Sequence, residues 1–362
     1  MLMTIIKKSI TSSLKLIISL MIVISCNKSF ANDYSMYKTL DHYGFSTLGQ
    51  KKSLENIMQY AGILKENQSF ENLYPFRTNY LDLLKDMLSF VKQTQEHFTK
   101  RTGAKERWEI KTSGWIEQNK DKIIEDAKKL GFVDEIKNTM NEVDAVCILG
   151  STLNSMQNRI NYIAESINSK KLMAKNLILL AGERQVTITV DGDEQSLLLI
   201  AKKYNINDLS KLTETHLIQT AYEESAIYNQ LPTFVIDTPA GKLPRPTTET
   251  TILELVKWLD SHKDIKTIVF ISNQPYVKYQ KAVISQILKS YPHITFEVVG
   301  SKASDGNPLK LIEGLGSYIW ARTPEIILQL GRVIPNEEIL KEFKAVYGKN
   351  ILIYSDIKKI FN

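Results

Sequence analysis

Asp144-Ala145-Val146-Cys147-Ile148-Leu149-Gly150 (DAVCILG), followed at once by Ser151, decides how the rest of this chain is read. A short apolar run that ends in Gly-Ser reads as a buried parallel strand whose carboxyl end opens into a crevice. Three further runs repeat the pattern: Asn176–Gly182 (NLILLAG), Thr267–Ser272 (TIVFIS) and Thr295–Gly300 (TFEVVG). A fourth, Phe234–Asp237 (FVID), is shorter and ends in a carboxylate. Helical patterns separate the runs, as in Met156, Ile160, Ile163 and Ile167 after the first and Ile252, Leu255, Val256 and Leu259 before TIVFIS. Alternation of this kind implies an α/β fold, an open and mostly parallel sheet with helices on both faces. Ligands of such sheets sit outside the carboxyl ends of the strands, where the strand order reverses.

Outward from this core, residues 32–141 are helical in pattern and carry no strand signal. Leu81, Leu84, Leu88 and Val91 mark a helix over 80–98, and Ile116, Ile123, Ile124 and Ala127 another over 115–130, with Gly131 at the expected stop. The polar linker near 138–142 is short, so this helical region should pack on the sheet unit of residues 142–333. Residues 334–362 read as an added helix and a strand at Ile351–Tyr354.

The N-terminus is different. Lys7, Lys8 and Lys15 precede the apolar stretch Leu16–Ile24, which is too short to span a bilayer comfortably. Ser29-Phe30-Ala31 then offers small residues where a signal peptidase reads them, so residues 1–31 are expected to be a secretory signal peptide. Val23-Ile24-Ser25-Cys26 resembles a lipobox and is the rival site, which would anchor the protein by a lipid at Cys26. An uncleaved N-terminal anchor is a third reading, and all three put the folded part outside the cytosol, in the periplasm or cell envelope. Without residues 1–31 the net charge falls from +6 to +2, which gives no support to a nucleic-acid partner. Cys147 is then the one remaining cysteine, a small apolar residue in a core strand.

Polar residues concentrate in the loops that follow strands. They are Ser151 and, on the next helix, Arg159; Gly182-Glu183-Arg184; Arg245-Pro246-Thr247-Thr248; and Ser272-Asn273-Gln274-Pro275-Tyr276. Taken singly, Thr247, Asn273 and Gln274 are helix caps, with Pro275 suited to a first helical position. Taken together, helix N-termini and planar guanidinium groups at one sheet edge suit an anion. The ligand-binding candidates are therefore Ser151, Arg159, Gly182, Arg184, Arg245, Thr247, Thr248, Ser272, Asn273 and Gln274. Glu183, Glu194 and Glu214 are the acid/base candidates. Asp191-Gly192-Asp193 matches a metal-holding Asp-x-Asp, but three residues in a turn are a common accident, and no metal or cofactor is expected. His42, His97, His216, His262 and His293 show no zinc spacing, and no Walker loop, GxGxxG or GxSxG is present.

The order of these motifs resembles the SanA/ElyC/YdcF family over roughly residues 142–333. The matching positions are Leu149-Gly150, Arg159, Ala181-Gly182, Glu194, Thr247-Thr248-Glu249 and Ile271-Ser272. The resemblance implies a Rossmann-like fold and a role in envelope integrity or in peptidoglycan or lipid-carrier metabolism, by a reaction that is not settled. The chain departs from the family in two places. Thr250 stands where members usually carry Asn, and Tyr276 and Gln280 occupy the region where a His followed by an Arg is usual. Two functions remain open. One is an exported protein that binds and acts on an anionic, phosphate-bearing small molecule or lipid-linked precursor, with association at the membrane surface. The other is a non-catalytic envelope binding or scaffolding protein.

Overall fold

The computed structural model describes residues 34–99, 112–243, 245–303, 306–330 and 337–347. The signal-peptide and lipobox positions and the strand expected at Ile351–Tyr354 lie outside these residues. Five strands, β1 (Glu142–Leu149), β2 (Met173–Gly182), β3 (Thr233–Thr238), β4 (Thr267–Asn273) and β5 (Thr295–Ser301), form one sheet in the order β3-β2-β1-β4-β5. Every pairing is parallel. All four of the longer apolar runs and the FVID segment are strands, each within a few residues of its expected ends.

Before the sheet come α1 (Met36–His42), α2 (Leu48–Tyr60), α3 (Phe70–Leu73), α4 (Tyr80–Thr94), α5 (Gly114–Gln118) and α6 (Lys120–Lys129), with a π-turn at Gln95–Thr99 after α4. Thr47 starts α2 with a reciprocal cap: its hydroxyl accepts from the Gln50 N–H, and the Gln50 side chain accepts from the Thr47 N–H. The helix expected over 115–130 is broken at Asn119 into α5 and α6. Within the sheet unit follow α7 (Leu153–Asn168), α8 (Glu194–Lys203), α9 (Glu214–Glu223), α10 (Thr248–Asp260) and α11 (Val277–Leu288). Two more helices, α12 (Pro308–Gln329) and α13 (Glu337–Tyr347), follow β5.

Side chains alternate across the sheet because successive residues of a strand point to opposite faces. Val146 and Ile148 of β1 join Leu177, Leu179, Val269 and Ile271 under α7, α8 and α9. Ala145, Cys147 and Leu149 join Ile178, Leu180 and Phe270 under α10 and α11. Both faces being covered explains why the strands read as continuous apolar runs. Fully burying one such aliphatic side chain contributes roughly 1.5–3 kcal/mol. Cys147 is completely buried in the central strand, and that burial pushes its thiol up, away from the reactive thiolate.

A third core, rich in aromatic residues, joins α1–α6 to α12 and α13 and to Ala282 and Val283 of α11. The sequence assigned α12 to the sheet unit by position, but its apolar residues, among them Leu311, Ile312, Leu315 and Ile319, pack in the helical layer. Polar ties reinforce the junction. Gln274 Nε2 donates to Gly131 O at 3.2 Å and Asp134 O at 2.8 Å, and Ile136 exchanges backbone hydrogen bonds with Gly300 at 3.0 Å. Lys278 of α11 reaches across to donate to Leu130 O at 2.6 Å, 5.1 Å from the Phe132 ring centroid. Among the described residues no helix is long and apolar enough to cross a membrane.

Candidate functional site

The strand order reverses at β1, which pairs with β2 on one side and β4 on the other. The connections after β1 and β4 leave for opposite faces, so their carboxyl ends part and open a crevice. A cleft of about 1080 Å³ lies there, lined by the ends of β1, β4 and β5, by α7, by the first residue of α9 and by the loops before α8, α10 and α12.

Arg159, two turns into α7, is 2% exposed and crosses the parting. Its Nη1 donates to Leu149 O at 2.5 Å and Gly150 O at 2.9 Å, while Nε and Nη2 donate to Asn273 Oδ1 at 2.9 and 2.7 Å. One guanidinium thus ties the carboxyl ends of β1 and β4 together, and Asn273 is engaged by it. Arg184 was expected to offer its two-pronged edge to a ligand. That edge is instead taken by Asp191, at 2.9 Å through both Nη1 and Nη2. Arg184 also donates from Nε to Glu214 at 2.8 Å and from Nη2 to Ser151 O at 3.0 Å. Its first role is to hold the 184–191 loop and aim Glu214.

Glu214 opens α9, and its side chain packs on Gly150, where any Cβ would overlap the carboxylate oxygen and stand 2.9 Å from Leu180 O. Burial pushes the Glu214 carboxyl above its usual range, although Arg184, Arg159 and Arg245 all pull it down. Arg184 grips this mostly buried carboxyl directly, and Arg159 and Arg245 line the same cleft. Arg245, half-buried, stands in the loop before α10. Thr247 caps α10: its hydroxyl accepts from the Thr250 N–H at 3.2 Å, and its own N–H donates to Thr250 Oγ1 at 2.8 Å. Thr248 is the first residue of the helix and lines the cleft.

The cleft thus brings together Ser151, Arg159, Arg184, Glu214, Arg245, Thr247, Thr248, Asn273 and Gln274. Four expected residues are not in its lining. Glu183 is exposed and accepts from the Ala240 N–H at 3.0 Å. Glu194 is exposed in the first turn of α8, one helix away. Gly182 serves packing, since a Cβ there would stand 2.6 Å from Pro246 Cγ and 2.8 Å from Thr238 O. Ser272 is completely buried beneath the Gly300 backbone. The expected helix start at Pro275 also shifts: the Gln274–Pro275 peptide is cis and α11 begins at Val277. In the Asp191-Gly192-Asp193 turn, Asp191 pairs with Arg184, and Asp193 caps α8 by accepting from Ser196 N–H at 2.8 Å. Among the described residues no group of three or more His, Cys, Asp and Glu is placed to hold a metal ion.

Other lining residues escaped the sequence reading: Asn307, Lys310 and Glu313 at the start of α12, and Lys302 in the loop before it. The available signal was the loop after TFEVVG, a fifth polar strand end that closes with Asn307-Pro308 and a proline suited to a first helical turn. Among the described residues the cleft is lined by five cationic side chains, Arg159, Arg184, Arg245, Lys302 and Lys310, against three carboxyl groups, Glu165, Glu214 and Glu313. The balance favours an anion.

No family model and no curated protein matches the chain. The solved structure of FtsY from Mycoplasma mycoides is similar at 14% identity, over 76% of this chain and 97% of that one. Its TM-score of 0.20 is too low for the likeness to carry an argument.

Proposed function

We propose that this chain is an exported cell-envelope protein, a divergent relative of the SanA/ElyC/YdcF family, that binds a phosphate-bearing ligand in the cleft at the carboxyl ends of β1 and β4. The observation that carries the reading is that Arg159, Arg184 and Arg245 line one cleft with Glu214 and the N-terminus of α10. Arg245 and the N-terminus of α10, with its positive potential, are the groups best suited to meet phosphate oxygens. A neutral Glu214 carboxyl donates a hydrogen bond to the same anion, whereas its carboxylate repels it. The envelope or lipid-carrier intermediate is the ligand class that the family resemblance supplies.

Calorimetric titration with inorganic pyrophosphate tests this. Arg245→Ala should weaken binding by roughly ten- to hundredfold, the loss of one charge-assisted contact. Because the folded Glu214 carboxyl is raised, the proton it contributes is held at low pH and lost as pH rises through its folded value. Wild-type affinity should fall with rising pH more steeply than that of Glu214→Gln, the difference cancelling titration of the ligand. Equal affinities in all three proteins would sink the reading. Binding without turnover gains support from Glu183 and Glu194 lying outside the cleft, which removes two of the three acid/base candidates. Release of inorganic phosphate from a bound isoprenyl diphosphate would decide for an enzyme.

A further inference from the structure

At the α11–α12 end of the cleft, which Lys302 and Lys310 also line, two buried amides add hydrogen-bond acceptors. Gln274 is 3% exposed, and its orientation is fixed because Nε2 donates to the Gly131 and Asp134 carbonyls. Its Oε1 is buried and accepts nothing. Gln280, on the first turns of α11, is 7% exposed, and its Oε1 is likewise buried without a partner. Both residues line the cleft. Buried amide oxygens are nearly always satisfied, and leaving one unpaired costs about as much as a lost hydrogen bond, so two at one site call for donors from outside the chain. Beside them, Glu313 of α12 is 1% exposed and accepts from the Tyr276 hydroxyl at 3.3 Å. Tyr279 adds an aromatic surface to the same lining.

We infer that this end of the cleft is a hydroxyl-reading subsite, and that the ligand is a sugar phosphate whose ring hydroxyls donate to Gln274 and Gln280 while its phosphate faces Arg245 and α10. The inference rests on the anion-binding reading for its phosphate half only. Acceptors on two separate elements, joined by an acidic group and a tyrosine, match hydroxyls that leave a ring in several directions. A cleft of about 1080 Å³ holds far more than a bare phosphate.

The test is a set of calorimetric titrations with glucose 1-phosphate, N-acetylglucosamine 1-phosphate, inorganic phosphate and the two free sugars. At least one sugar phosphate should bind roughly tenfold tighter than inorganic phosphate, the gain expected from hydrogen bonds made to otherwise unpaired groups. Gln280→Met, which keeps shape and removes the amide, should erase most of that gain and leave the affinity for inorganic phosphate unchanged. Arg245→Ala should weaken both phosphates together. Glu313→Gln, judged by the same ratio, serves if Gln280→Met fails to fold. Equal affinity for sugar phosphates and inorganic phosphate in the wild type, or an equal loss of both in Gln280→Met, would overturn the subsite. If no phosphate binds, the anion reading fails by itself: a free sugar whose binding Gln280→Met weakens then upholds the subsite, and no sugar binding overturns it.

Discussion

The two ends of β1 use polar groups in opposite ways. At the amino end, Asp144 accepts from Lys175 Nζ at 2.8 Å, from the backbone N–H groups of Lys266 and Thr267 at 2.9 and 3.0 Å, and from the Thr267 hydroxyl at 3.0 Å. Burial alone would raise this carboxyl, but those donors hold it down at about 2. Both of its oxygens are engaged, and the result is a staple from β1 to β2 and β4. At the carboxyl end the strand meets three arginines, a carboxyl pushed above its usual range, and two buried amide oxygens that accept nothing. One end is closed chemistry and the other is unfinished. Unfinished polar chemistry in a cleft is what a binding site looks like before its ligand arrives.

The largest effect that would sharpen this contrast concerns Arg184, which sits at the functional end but bonds like the structural one. Arg184→Ala strands Asp191, whose side chain is wholly buried, without its counter-charge and removes the donor that aims Glu214. Breaking a buried ion pair from one side costs about 3–5 kcal/mol, so urea denaturation should register a loss of that size. A loss below about 1 kcal/mol, the range of an exposed ion pair, would mean that the triad is not structural and that Arg184 belongs to the ligand.

Next in size is Asp144→Asn. A folded value of about 2 against 3.8 for the unconstrained side chain corresponds to about 2 kcal/mol of stability. Since the folded carboxyl is depressed, this contribution is present above pH 3.8 and fades as pH falls toward 2. The variant should be less stable than wild type at neutral pH, and the two should converge in acid. A stability difference that stays constant down to pH 2 would break the staple account.

The smallest effect has the opposite sign. Gln280→Met removes an unsatisfied buried acceptor, so it should leave the protein as stable as wild type or more stable by up to about 1 kcal/mol, read from the shift in thermal midpoint. A clear destabilisation would show that Gln280 belongs to the closed chemistry of the fold.

The strands and the switch point were legible because apolar runs of four to seven residues separated by helical stripes leave few alternatives. The position of the cleft followed from that topology, and with it the placement of Ser151, Arg245, Thr247 and Asn273. What could not be read is which polar group meets which. Arg159 reads as a ligand-binding candidate until its guanidinium is seen on the carbonyls of Leu149 and Gly150. Asp191 reads as half of a metal motif until Arg184 closes on it, because the loop geometry that joins them leaves no period in the sequence. Glu183 and Glu194 were grouped with Glu214 by residue type, yet of the three only Glu214 lines the cleft. The α12 residues were missed because membership of the helical layer is set by packing partners far away in sequence, from Tyr43 to Phe132.

The most direct measurement is a crystal structure of the protein with N-acetylglucosamine 1-phosphate. Phosphorus within hydrogen-bonding reach of Arg245 and the first turn of α10, with ring hydroxyls turned toward Gln280, is the predicted result. Phosphorus at any other surface, with the cleft between β1 and β4 vacant, would contradict the assignment of this edge as the binding site.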